Sequence, residues 1–196
     1  MIYKAGCDPS GGGADEFTWA VAHRDGERIV VDLVAACGRR GRLPLNPEAA
    51  VSDCVTDLKT YGIAEVVGDK YAAGWVVEAF RKQGVVYRHS ERTKSELYLD
   101  LLPLITAGRV ELPPDVELIR QAKLLQRRRG AQGRDAVDAP QGGHDDRINA
   151  VAIAVSQVAG GVPMTAEKFR DWLILGERRA SMDVPWQTTG RPPWEL

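Results

Sequence analysis

Residues 2–23 read IYKAGCDPSGGGADEFTWAVAH. Ile2 to Asp8 is a short apolar stretch that ends on an acid, and it reads as a strand. Pro9 to Gly13, PSGGG, is a sequence no regular element could contain, so the chain turns there. Phe17 to His23 resumes an apolar run. Arg28 to Ala36 repeats it after Arg24-Asp25-Gly26, which is the pattern of a β-hairpin. The stretch therefore predicts three successive antiparallel strands, with Asp8 left at the mouth of the first turn.

Beyond these strands the pattern changes to alternating helices and strands. Asn46-Pro47 offers a capping side chain and then a proline at the first helical position. Ala50, Val51, Cys54, Val55 and Leu58 make one apolar stripe, and Gly62 closes the helix. Residues 63–68, IAEVVG, read as a buried strand ending on Asp69. A helix over 72–83 and a strand over 85–88 follow. Thr93-Lys94-Ser95-Glu96 fits a capping box that opens a helix to about residue 107. Residues 109–112 fit a short strand. Pro113-Pro114-Asp115 starts another helix, expected to run to about residue 128, and 129–143 reads as a mobile loop. Asp145 to Ala159 is a helix of small residues, and a last amphipathic helix covers about 165–179. The fold class is α/β: a mixed sheet, its first three strands antiparallel and the rest parallel, with helices on both faces. The expected division is a domain over 1–180 and a tail over 181–196 containing Pro185, Trp186, Pro192, Pro193 and Trp194.

The formal net charge of −1 gives no global attraction for nucleic acid, so any such binding needs a local basic patch. Cys7, Cys37 and Cys54 are widely spaced and suggest reduced, buried thiols, not a zinc site or a disulfide framework. No signal peptide and no membrane span are expected.

Asp8 and Asp69 each end an apolar strand. If those strands are parallel neighbours, both carboxylates emerge at the same sheet edge, the usual functional edge of an α/β sheet. Asp145 and Asp146 open a helix rich in alanine, which can lie close against the sheet and bring a third carboxylate there. Converging carboxylates repel one another unless cations hold them, and all-oxygen donors suit Mg²⁺ or Mn²⁺. Two such ions can activate a water and stabilise the leaving oxygen of a phosphodiester. Taken singly, each acid has an ordinary explanation: turn residues end strands, and acids at a helix N-terminus complement its dipole. His144 could equally cap or pack.

Four segments together resemble the C-terminal nuclease domain of the large terminase subunit of tailed bacteriophages: CDPSGGGADEFTWAVAH (7–23), VVGDKYAAGWVVEAF (66–80), RTKSELYLDLLPLITAGRVELP (92–113) and GGHDDRINAVAIAV (142–155). The resemblance implies an RNase H-like fold and a two-metal endonuclease cutting double-stranded DNA with little sequence specificity. It implies metal ligation and catalysis by Asp8, Asp69 and Asp146, with Asp145 assisting. Related proteins often carry an aspartate where this chain has Asn149, so a strong charged ligand is not expected at that position. The implied partners are the terminase ATPase domain, the small terminase subunit and the portal, in the cytoplasm of a bacterial host. No GxxxxGK[ST] sequence occurs, so the motor is not expected in this polypeptide.

Basic residues gather before the acidic pair. Arg120, Lys123, Arg127, Arg128, Arg129 and Arg134 fall in a stretch without acids. Lys123 and the four arginines from 127 to 134 are candidate DNA-backbone contacts, with Lys94 beside the acids. Arg39, Arg40 and Arg42 form a weaker second patch. Lys70, His144 and Asn149 are auxiliary candidates. Trp75 and Trp172 are expected in the core. Two alternatives share these features: a RuvC-like Holliday-junction resolvase, and a non-catalytic RNase H-like module binding DNA or a portal.

Overall fold

The computed structural model describes residues 1–9, 16–38, 46–69, 74–129 and 135–160, without the side chains of Arg129 and Asp135. These residues all lie within one compact unit, Met1–Val162. Several expectations fall outside them: the glycines of the PSGGG turn, Arg39, Arg40, Arg42, Lys70 and Arg134, the helix over 165–179 with Trp172, and the tail with Trp186 and Trp194.

Strands β1 (Tyr3–Asp8), β2 (Phe17–Asp25) and β3 (Arg28–Cys37) form the antiparallel set. The β2–β3 turn falls at Gly26, whose φ of 57° suits a residue without a Cβ. Helix α1 (Pro47–Thr60) is capped as expected, with the Asn46 side chain accepting from the Glu48 and Ala49 amides. β4 (Glu65–Gly68), α2 (Gly74–Lys82), β5 (Val86–His89), α3 (Lys94–Thr106) and β6 (Val110–Glu111) follow. The Thr93–Glu96 capping box is fully formed.

The six-stranded sheet runs β5-β4-β1-β2-β3-β6. β4 pairs with β1 in parallel, with Cys7 beside Gly68. One apolar core lies between the sheet and α1 and α2. The other lies beneath α3, α4 (Val116–Leu124) and α5 (Asp146–Ala159). Helix α5 sits unusually close to β1 because Gly6 presents no side chain: a Cβ there would collide with the Ala150 carbonyl and the Ala154 amide. Alanines on the helix and a glycine on the strand thus set how near the start of α5 comes to the sheet edge.

Two expectations need correction. α4 ends at Leu124, not near residue 128, and part of the expected loop is a β-hairpin of β7 (Gln126–Arg129) and β8 (Asp135–Asp138). Pairing satisfies the backbone of both segments. It also buries Val137 in the core beneath α3, where the Ser95 hydroxyl accepts from the Val137 amide and donates to its carbonyl. Trp75 is not a core residue: it is 37% exposed, while Val76 and Phe80 carry the buried face of α2.

Candidate metal centre

Asp8 ends β1, and Asp69 follows the last residue of β4. The parallel pairing of those strands places both at one sheet edge, and the Asp69 amide donates to the Cys7 carbonyl across the gap at 3.2 Å. The start of α5 reaches the same edge. Thr18, paired with Asp8 across β1–β2, donates its hydroxyl to the Asp146 carbonyl at 2.7 Å. One turn further on, Asn149 donates its side-chain amide to Asp8 Oδ2 at 2.8 Å.

The carboxylates share one electrostatic neighbourhood. Burial pushes the Asp8 carboxyl up to about 7, against the favourable Asn149 hydrogen bond and the Lys94 charge. The negative charges of Asp146 and Asp69 push in the same direction as burial. Asn149 is fully buried, and its Oδ1 accepts no hydrogen bond among the described residues. Among those residues, no group of three or more His, Cys, Asp or Glu side chains is gathered into a ready-made cage for an ion. The arrangement is an open cluster.

The adjacent acids Asp145 and Asp146 have different surroundings. Asp145 is 6% exposed, and both its oxygens are taken: Lys94 Nζ lies 3.1 Å from one, and the Tyr98 hydroxyl donates to the other at 2.8 Å. Burial opposes the charge on Lys94, yet Asp145, Asp8 and Asp138 outweigh it and raise its pKa. Asp146 instead turns one oxygen toward the Glu16 amide, at 3.4 Å, with His144 Nδ1 3.9 Å away. The geometry therefore gives Asp145 to a buried ion pair, while the charge of Asp146 bears on Asp8. Lys94, read as a DNA contact, is in this structure the counter-charge of Asp145.

The basic stretch is divided. Arg120 is held by Glu117 at 2.7 Å on α4, and Lys123 is exposed. Arg127 and Arg128 are exposed on β7, where neighbouring side chains point to opposite faces of the hairpin. Arg127 is paired across the hairpin with Val137, and Arg128 with Ala136. The hairpin is anchored on α3 by Ser95, the residue that follows Lys94.

Tyr98, Gln121, Glu16 and Arg147 escaped the sequence reading. Arg147 carried a usable signal: a cation in the first turn of a helix opposes the helix dipole, and so needs acidic partners from elsewhere.

No protein-family model matches the chain. The large terminase subunits of Thermus phage G20c and Thermus virus P23-45 are each 32% identical to it over 121 residues, covering 57% of this chain and 25% of theirs. The matched region thus spans about a quarter of those relatives' length. The crystal structure of the large terminase nuclease from phage G20c has a TM-score of 0.66 at 25% identity, covering 80% of this chain and 82% of that one. The same nuclease with bound magnesium has a TM-score of 0.64 at the same identity. The relatives and structural neighbours are thus phage large terminases and their nuclease domains, and the fold is RNase H-like.

Proposed function

We propose that the chain is a divalent-cation-dependent endonuclease that hydrolyses double-stranded DNA, with little regard to sequence, during viral genome packaging. The observation that carries this reading is that Asp8 and Asp69 end neighbouring parallel strands, and that the charges of Asp69 and of Asp146, at the start of α5, both bear on the Asp8 carboxyl. It is supported by similarity to nucleases of that fold, one of them a magnesium-bound form.

The donor set fits a hard cation. Its oxygens come from carboxylates, Asp8 is held in a costly environment that a cation would relieve, and Asn149 Oδ1 stands buried without a donor among the described residues. Asp8, Asp69 and Asp146 would hold Mg²⁺ or Mn²⁺, two ions when DNA is bound. The ions would polarise the scissile phosphate and make a water more acidic. Asn149 keeps Asp8 oriented along α5. Asp145 and Tyr98 fix the Lys94 ammonium beside Asp8, where a phosphate oxygen entering the edge meets a positive charge. Arg127, Arg128 and Lys123, with Arg129 and Arg134 of the same stretch, would contact the DNA backbone. The working context is then the host cytoplasm, with the terminase motor, small subunit and portal as partners.

The test is cleavage of linear duplex, supercoiled plasmid and a four-way junction in Mn²⁺, Mg²⁺ or EDTA. Cation-dependent cutting of all three substrates is expected. Cutting that survives EDTA contradicts the metal mechanism. Cutting confined to the four-way junction moves the assignment to a junction resolvase.

A further inference from the structure

Arg147 follows Asp146 directly, and its guanidinium is held by two other carboxylates, those of Glu16 and Asp115. Its Nε and Nη2 donate to the two carboxylate oxygens of Glu16 at 3.0 and 3.3 Å, and its Nη1 donates to Asp115 Oδ2 at 2.7 Å. Glu16 immediately precedes β2, and its amide is the group that donates to Asp146 Oδ2. Asp115 is the N-cap of α4, accepting from the Leu118 amide with its other oxygen. One guanidinium therefore joins the starts of α5, β2 and α4.

The start of α5 has a second unusual feature. Asp145 occupies the N-cap position but makes no capping hydrogen bond, because Lys94 and Tyr98 hold its carboxylate. The cap comes from another helix: Gln121 of α4, 1% exposed, accepts from the Arg147 amide at 2.9 Å and the Ile148 amide at 3.2 Å with a single oxygen. The first turn of α5, which carries Asp146, is thus fixed from outside by α4 and by Glu16.

We propose that Arg147, with Gln121 behind it, is a positioning residue for Asp146. By fixing the first turn of α5 and holding Glu16, it sets the direction of the Asp146 carboxylate and keeps the Glu16 and Asp115 carboxylates out of the cation cluster. The inference rests on the metal-dependent reading for its consequence, but the clamp itself exists without metal. Outer partners that orient metal-binding side chains typically matter about 10- to 100-fold in affinity or activity.

The test compares the wild-type chain with Arg147→Met, Arg147→Lys and Gln121→Leu. The first readout is metal-free: the NMR shift of the Glu16 amide, and hydrogen exchange of the Arg147 and Ile148 amides. The second is Mn²⁺ affinity by calorimetry, and the third is cleavage against Mn²⁺ concentration. Arg147→Met is expected to move the Glu16 amide and to weaken Mn²⁺ binding about 10- to 100-fold, with much of the rate recovered at saturating Mn²⁺ and partial rescue in Arg147→Lys. Gln121→Leu should speed exchange of the two α5 amides and weaken Mn²⁺ in the same sense, and it carries the test if Arg147→Met does not fold. An unchanged Glu16 amide, or folded variants with Mn²⁺ affinity within about twofold of wild type, would overturn the proposal. Wild-type protein that binds no Mn²⁺ counts against the metal-nuclease reading, while the metal-free amide readouts still decide the clamp.

Discussion

The side-chain amide of Asn149, on α5, donates a 2.8 Å hydrogen bond to Oδ2 of Asp8, at the end of β1. It ties the sheet edge to the helix that brings Asp146, and, like the Lys94 charge, it favours the charged form of Asp8. Replacing Asn149 with Asp removes that donor and adds a negative charge beside Asp8. In EDTA the variant should lose about 1.5–3 kcal/mol, the usual worth of a hydrogen bond to a charged group. Added Mn²⁺ should raise its melting temperature more than it raises that of wild type. Chemical denaturation with and without Mn²⁺ checks both; a variant as stable as wild type in EDTA contradicts the role given to Asn149.

The carboxyl of Asp8 sits at about 7, against an ordinary value of about 4. In metal-free protein the folded state therefore holds a proton that the unfolded state has released, across the window between those values. Stability falls as pH rises through that window. Asp8 is half-buried, so solvent screening reduces the effect to on the order of 1–2 kcal/mol. Urea midpoints at pH 5 and pH 8 in EDTA should show the fall in wild type and a flatter profile in Asp8→Asn. Identical profiles contradict the assignment. Protons also compete with the cation, so Mn²⁺ stabilisation should shrink below about pH 7.

Lys94 and Asp145 form a largely buried pair, with side chains 33% and 8% exposed. Among the described residues, Lys94→Met leaves the Asp145 carboxylate with Tyr98, and it should cost about 1–3 kcal/mol, less than a fully buried pair because solvent reaches the ammonium. Lys94→Met combined with Asp145→Asn should recover part of that loss. A double-mutant cycle by urea denaturation measures the coupling, and strict additivity would show that the two residues do not interact.

Gly6→Ala drives a methyl group into the Ala150 carbonyl and the Ala154 amide. The helix must move off β1, at a cost of about 1–3 kcal/mol. Because α5 carries Asp146, nuclease activity should fall together with the melting temperature. A variant with wild-type stability and activity would show that close approach of α5 to β1 is not required.

Legibility in the sequence followed the range of the interaction. The Asn46 cap, the Thr93–Glu96 box and the strand-end positions of Asp8 and Asp69 depend on neighbours along the chain, and local pattern was enough to read them. Asp145 and Asp146 could not be told apart that way. What separates them is Lys94 and Tyr98, 51 and 47 residues away in sequence from Asp145. The β7–β8 hairpin was missed for a similar reason: its stability comes from Val137 entering the core and from Ser95, 42 residues earlier. Trp75 misled because an aromatic at helical spacing looks buried even when the helix turns it to the rim.

The most direct measurement is supercoiled-plasmid cleavage in Mn²⁺ by folded, purified wild type and by Asp8→Asn, Asp69→Asn and Asp146→Asn separately. Wild type is expected to cut, and each variant to lose about 100-fold or more, the scale on which removing one charge-stabilising group from an active site acts. Undiminished cutting by any one of the three variants would contradict a centre built from Asp8, Asp69 and Asp146.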